Sequence, residues 1–181
     1  MVNTRPEIET GDVLARLDQA LGLIERYTPH YYRHLRRDFA AIAVKRYACR
    51  GAYAYDTGTC IVELTFSVNP DFSATQVAAV IVHEAMHARL HRLGFLLEMS
   101  DRARQERFCR RAEIELGRLA PEGGAVIERA LDILSAADDD VAPEVDASLA
   151  ARRIAEADLR ASRAPLWLRR AIARRHGFTL E

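Results

Sequence analysis

The stretch SATQVAAVIVHEAMHARLHRL, residues 73–93, decides how this chain folds and what chemistry it carries. Ser73, followed three residues later by Gln76, has the form of a capping box, which begins a helix. Apolar residues fill the turns that follow, and Gly94 is typical of a helix end. The sequence therefore predicts a long and largely apolar helix over this stretch.

This helix carries the motif HEAMH, in which His83 and His87 are four residues apart. Residues at that spacing lie one turn apart on the same face, so their imidazoles can bind one tetrahedral metal ion. Glu84 is displaced by about 100° around the helix and would stand beside the ion, where a base can take a proton from metal-bound water. The motif therefore predicts a zinc site with His83 and His87 as ligands and Glu84 as the catalytic residue.

The rest of the chain predicts an α+β fold that is mostly helical, with a small antiparallel β-sheet packed beside the motif helix and a helical C-terminal part. A turn signal near Gly58 predicts a hairpin tip, and Ile61–Val68 reads as a strand. We expect two parts, a domain over residues 1–135 and a helical extension over 136–181. The predicted elements are, in chain order, helices at 12–27 and 30–39, two or three strands between 41 and 68, the motif helix, and helices at 101–120, 125–135, 145–162 and 165–175.

The amino-acid composition argues against binding to nucleic acid or to a membrane and against a disulfide-stabilised fold. Lys and Arg together number 26, as do Asp and Glu, so no net charge attracts nucleic acid or an anionic membrane, and we expect neither as a partner. No apolar run is long enough to cross a bilayer. Three cysteines without a CxxC spacing argue against a disulfide framework, and we expect reduced packing residues in a cytoplasmic protein.

One local charge bias stands out in the C-terminal part. Arginines crowd the last thirty residues, on two predicted helices, and such runs are usually solvated faces. An acidic partner is the functional alternative for this surface. The arginines are Arg152, Arg153, Arg160, Arg163, Arg169, Arg170, Arg174 and Arg175.

The strand, the motif helix and the following helix, about residues 60–120, resemble the zincin metallopeptidases, most closely small cytosolic gluzincin-like peptidases. The resemblance implies that a strand just before the motif helix, here Ile61–Val68, runs along the cleft and pairs with extended substrate. One departure is Arg89, where the extended zincin pattern prefers an apolar residue. The metzincin pattern fails, because Leu90 and Leu93 stand where it needs Gly and His.

The resemblance to gluzincins implies a third ligand from a carboxylate on the next helix. We expect Glu113 in this role, because an antiparallel pairing of the two helices brings about residues 107–111 level with the histidines and side chains lean toward the helix N-terminus. Its 26-residue distance from His87 is also similar to that in gluzincin-like peptidases. Three alternatives stay open for the third ligand: Glu106, Glu115 and His91.

His91 continues the four-residue repeat but is the weaker geometric choice. At a rise of about 1.5 Å per residue it begins about 12 Å from His83, too far for one straight helix to bring both to one ion with His87 between them. A peptidase also needs a donor to stabilise the oxyanion. The sequence does not choose among the candidates for that donor, which are Tyr53, Tyr55, Arg110 and His176.

The sequence thus predicts a zinc-dependent metallopeptidase that hydrolyses peptide or protein substrates by zinc-activated water, with Glu84 as base and then acid. The alternative is a non-catalytic zinc-binding regulatory or interaction protein on the same scaffold. An open metal position beside Glu84 and an exposed strand would favour the enzyme.

Overall fold

The computed structural model describes residues 9–95, 102–141 and 165–175, the last five of these by their backbone alone. The described part is mostly helical with one small sheet, which confirms the predicted α+β class. Its elements in chain order are α1 (Thr10–Tyr27), α2 (Pro29–Asp38), β1 (Ala41–Lys45), β2 (Gly51–Ala54), β3 (Thr59–Glu63), α3 (Leu64–Val68), α4 (Ala74–Arg92), α5 (Arg102–Leu119), α6 (Gly124–Ser135), α7 (Asp138–Val141) and α8 (Leu166–Arg175).

Helix α4, which carries the motif, is the central element. The predicted capping box is present, with Ser73 accepting from the Gln76 backbone N–H and the Gln76 side chain accepting from the Ser73 N–H. The helix packs against α1, α2 and α5 and against strands β2 and β3. Because neighbours cover it on several sides, its apolar residues are buried around most of its circumference, and its two motif histidines are buried with them.

The sheet is mixed, so the prediction of an antiparallel sheet is wrong for one of its two pairings. The strand order is β1-β3-β2, in which β3 runs antiparallel to β2 and parallel to β1. The β2–β3 hairpin has the predicted tip, with Gly58 at φ +64°. Buried Cys60, Ile61 and Val62 make β3 the most apolar strand, which explains why it takes the central position between the other two.

The run Ile61–Val68 is not one strand. β3 ends at Glu63, whose side chain accepts from the backbone N–H of Phe66 and caps the short helix α3. Both edges of β3 are paired within the sheet, so the predicted cleft strand cannot also pair with a substrate. The strand that lies against the motif is the edge strand β2: a Cβ added at Gly51 would stand 3.0 Å from Oε1 of Glu84.

Helices α4 and α5 run antiparallel, as predicted. Later residues of α4 contact earlier residues of α5: His87 contacts Glu106, and the earlier His83 contacts Glu113. Near the start of α4, the Thr75 hydroxyl donates to the carbonyl of Pro121, beyond the end of α5, at 2.6 Å. This pairing brings the acidic residues of α5 to the motif face of α4.

The predicted division at residue 135 stays a prediction, because much of the C-terminal part lies outside the described residues. The short helix α7 lies at the start of that part, and Arg107 of α5 binds Asp138 at 2.7 Å. The helix predicted over 145–162 and several of the arginines fall on residues that the structure does not describe. In the described part of the chain, no helix has the length and apolar character needed to span a membrane.

Candidate metal centre

Helix α4 holds the two motif imidazoles next to each other, with their ring planes inclined at 63°. Nε2 of His87 lies 3.1 Å from Nε2 of His83, and both side chains are buried. The α-helical spacing of four residues produces this closeness, as predicted. When neither Nε2 carries a proton, the two lone pairs face each other, and this arrangement suits a cation between them.

Glu106 of α5 completes this arrangement. Its Oε2 lies 3.2 Å from Nε2 of His83, and its Oε1 lies 3.2 Å from Nε2 of His87. Ligand atoms about 2.0–2.1 Å from a tetrahedral zinc ion stand about 3.3 Å from one another. The three separations are close to that value, and each histidine faces a different oxygen of the Glu106 carboxylate.

Cys109 lies one turn further along α5 and forms a group with the two motif histidines. Its Sγ and a ring nitrogen of each motif histidine all lie within 4.8 Å of one another. All three residues are buried, and this His–His–Cys group could hold a metal ion. The sequence predicts a packing role for Cys109. The signal for a second role is its three-residue spacing from Glu106, which puts both side chains on one face of a helix, as His83 and His87 are on theirs.

Glu113 occupies a different place from the one expected for it. Its Oε1 contacts Nδ1 of His83 at 2.6 Å, on the ring nitrogen opposite the one that faces His87, and it receives a hydrogen bond from Arg110 at 2.5 Å. Its carboxylate therefore does not lie between the two imidazoles. The offset between α4 and α5 depends on the path of their connection, which helical periodicity does not specify, and the observed offset brings Glu106 to that level instead.

Glu113 determines the protonation of the His83 ring. Because a carboxylate only accepts, Nδ1 of His83 must carry the proton and donate it. In a neutral imidazole the lone pair is then on Nε2, the atom that faces His87 and Glu106. With an exposed fraction of 1%, Glu113 is almost completely shielded from water, which strengthens this interaction.

The pKa values reflect a cluster of opposite charges in a buried place. Burial lowers the pKa of His83, but its hydrogen bonds with Glu106 and Glu113 outweigh burial and raise it to about 9. Burial raises the pKa of the Glu106 carboxyl, and its contacts with the two histidines lower it by more, so the net direction is down. The pKa of Glu113 is lowered in the same way, by His83 and then Arg110.

Glu84 lies beside this cluster and interacts electrostatically with both histidines. It is buried, and burial raises the pKa of its carboxyl, opposed by the neighbouring His83 and His87. The absence of a side chain at Gly51 lets strand β2 approach the carboxylate. A carboxyl with a raised pKa next to a cation site can take up and return a proton.

The other candidate residues lie elsewhere. Nδ1 of His91 is 3.4 Å from the Tyr53 hydroxyl, and helix α4 is unbroken through Arg92, so no kink brings His91 toward the other two histidines. Glu115 accepts from the Tyr31 hydroxyl at 2.7 Å, on another side of α5.

Of the four oxyanion-donor candidates, Tyr55 is the one whose pKa is affected by several groups of the site. Burial raises the pKa of its hydroxyl, and Cys109, Glu84 and Glu106 raise it further. Its ring packs against His91, with the ring centroids 5.0 Å apart. Arg110 is bound to Glu113, Tyr53 is at His91, and His176 lies outside the described residues.

Comparison of the chain with protein-family models, with curated proteins and with solved structures gives no match.

Proposed function

We propose that this protein is a zinc-dependent metallopeptidase in which His83, His87 and Glu106 hold the ion and Glu84 is the catalytic base. The observation that supports the proposal is the triangle formed by the two imidazoles and the Glu106 carboxylate: 3.1 Å between the two Nε2 atoms and 3.2 Å from each of them to a different carboxylate oxygen. Glu113 is the alternative third ligand, and its position at Nδ1 of His83 favours an orienting role instead.

The donor set supports zinc over the hard cations. Two imidazole nitrogens with one carboxylate form a common set in catalytic zinc sites, whereas magnesium and calcium prefer oxygen ligands. The hydrogen bond from Nδ1 of His83 to Glu113 is also the arrangement that usually orients a metal-binding histidine and raises its basicity.

Bound zinc would supply a Lewis acid that polarises a substrate carbonyl and lowers the pKa of water to the neutral range. Side chains of this protein would transfer the proton and stabilise the oxyanion. Glu84 takes the proton of the attacking water and then gives it to the leaving amine, a sequence for which its burial prepares the carboxyl by raising its pKa. Tyr55 is the candidate donor to the oxyanion that forms at the carbonyl.

The location of β2 supports a peptide as the substrate. Among the residues that the structure describes, this strand is paired on one side only, with β3, and its first residue lies against Glu84. An extended peptide that adds to a free strand edge gains main-chain hydrogen bonds whatever its sequence. The cleft strand expected from the resemblance to zincins is therefore assigned to β2 instead of β3. A cytoplasmic location and an acidic partner for the C-terminal arginines remain predictions.

Zinc content of the purified protein tests the metal site. We expect about one zinc per chain in the wild type, in Glu115→Gln and in His91→Ala, and loss of zinc in His87→Ala and Glu106→Ala. The two retained variants are matched controls, since Glu115 shares α5 with Glu106 and His91 shares α4 with His87. Loss of zinc from Glu113→Ala with retention in Glu106→Ala would reverse the assignment of the third ligand. Equal zinc content in wild type and His83→Ala/His87→Ala would end the proposal.

A non-catalytic zinc-binding protein is the second candidate, and Cys109 is the observation that favours it. A thiolate added to His83, His87 and Glu106 would give four protein ligands, and closed four-ligand sites are typical of structural zinc. Hydrolysis of a generic labelled protein substrate separates the two candidates: a Glu84-dependent activity supports the enzyme, and its absence from every form of the zinc-loaded protein supports the structural site.

A further inference from the structure

Two buried cysteines of this chain lie in opposite surroundings. Cys60 and Cys109 are both 0% exposed and both free thiols. Cys60 belongs to the apolar core, where a cysteine acts as a small hydrophobic residue. Cys109 is outside that apolar cluster, and its Sγ lies within 4.8 Å of a nitrogen of His83 and of His87.

The face of α5 that meets the motif therefore carries two potential ligands. Glu106 and Cys109 are three residues apart and lie on neighbouring turns of one face, opposite His83 and His87 on α4. Two residues from each of two antiparallel helices are enough to surround an ion on four sides.

A permanently closed site leaves Glu84 without a role. Its carboxylate is buried beside the two histidines, and the burial of a carboxylate carries a cost in stability that nearby histidine charges offset only in part. A base at that position is useful only when a solvent molecule can reach the ion. The closed arrangement and the buried base are compatible if one of the four ligands can leave.

We propose that the Cys109 thiolate is the fourth ligand of the ion in the resting protein, and that its departure opens the position at which hydrolysis takes place. The protein would then be a latent peptidase whose own α5 holds it inactive. Opening exchanges the thiolate for a solvent molecule and changes no oxidation state. This inference rests on the proposed zinc site and adds its regulation.

Zinc K-edge X-ray absorption of the wild-type protein tests the ligand without any substitution. We expect one sulfur neighbour at about 2.3 Å beside nitrogen and oxygen neighbours at about 2.0–2.1 Å. The sulfur neighbour should remain in Cys60→Ala and disappear from Cys109→Ala, and the two variants remove equally buried thiols. Zinc bound by nitrogen and oxygen alone in the wild type would overturn the inference and leave the proposed peptidase intact.

The latency is tested by activity of the same three proteins. We expect Cys109→Ala to hydrolyse a generic labelled protein substrate faster than the wild type and Cys60→Ala to match the wild type. An activity in Cys109→Ala no higher than in the wild type, with the sulfur neighbour present in the wild type, would make Cys109 a purely structural ligand and overturn the latency. Absence of zinc from the wild-type protein would overturn both this inference and the proposed function.

Discussion

At the scale of single residues, the candidate site separates three carboxylates by what each one touches. Glu106 contacts the Nε2 atoms of His83 and His87, and Glu113 contacts Nδ1 of His83. Glu84 lies beside the two histidines. We propose a different role for each of these three carboxylates. Substitution by glutamine tests each role separately, because glutamine keeps the shape of the side chain and removes its charge.

Substitution Glu84→Gln should retain zinc and lose hydrolysis. Glu84 is outside the triangle of ligand atoms, so its neutralisation spares binding while it removes the group that accepts the proton. General-base catalysis of this kind contributes about 10²–10⁴-fold, so turnover should fall by at least that lower value. Zinc analysis and a peptidase assay on the same sample check both halves; loss of zinc from this variant would make Glu84 a ligand instead.

Substitution Glu113→Gln should weaken zinc binding without abolishing it. The variant removes the carboxylate that accepts the Nδ1 proton of His83, and loss of such an orienting partner typically costs about 10–100-fold in metal affinity. Competition with a chelator of known affinity measures the change. A larger loss than that of Glu106→Gln, measured in the same way, would show that Glu113 is the true ligand.

At the scale of elements, the site depends on how closely strand β2 approaches helix α4. A Cβ added at Gly51 would come 2.3 Å from Cγ1 of Val80 and 3.0 Å from Oε1 of Glu84, so a side chain there requires the strand or the helix to shift. The glycine is needed for this close approach and not for its backbone conformation.

Substitution Gly51→Ala should therefore lower stability and disturb Glu84 specifically. Overpacking of this kind typically costs about 1–3 kcal/mol, which urea unfolding measures, and we expect hydrolysis to fall while zinc stays bound. Gly22→Ala in α1 is the matched control, since a Cβ there meets nothing within 4 Å. In a helix interior that replacement should stabilise by about 0.5–1 kcal/mol. Unchanged stability and activity in Gly51→Ala would show that β2 is further from α4 than described.

At the scale of the whole molecule, the candidate site joins the two helices that fill its centre. The imidazoles of α4 and Glu113 of α5 are buried, and Glu106 of α5 is half-buried beside them, so a metal ion held between the two helices would bind the folded state and not the unfolded chain. Binding to the folded state alone shifts the folding equilibrium toward that state by mass action.

Zinc should therefore raise the temperature of unfolding. At a free zinc concentration about 1,000 times the dissociation constant, the stabilisation is about 4 kcal/mol. For a domain of this size that corresponds to a rise of roughly 8–16 °C in Tm. Differential scanning calorimetry with zinc and with a chelator measures it, and the shift should vanish in His83→Ala/His87→Ala. An equal shift in that double variant would mean that zinc binds elsewhere.

The sequence alone determined the parts of this protein that depend on local patterns. The capping box at Ser73, the unbroken helix through the motif and the hairpin tip at Gly58 follow from residues close together in the chain, and each is present. The closeness of His83 and His87 follows in the same way, because four-residue spacing on a helix places them together without help from any other element.

Only the tertiary structure decided which elements lie next to one another. Alternating apolar residues predict strands but not their partners, so the parallel pairing of β1 with β3 and the edge position of β2 could not be read from the sequence. The offset of α5 along α4 likewise depends on their packing and their connection. That offset, which no local pattern specifies, brought Glu106 and Cys109 to the histidines and placed Glu113 at the far nitrogen of His83.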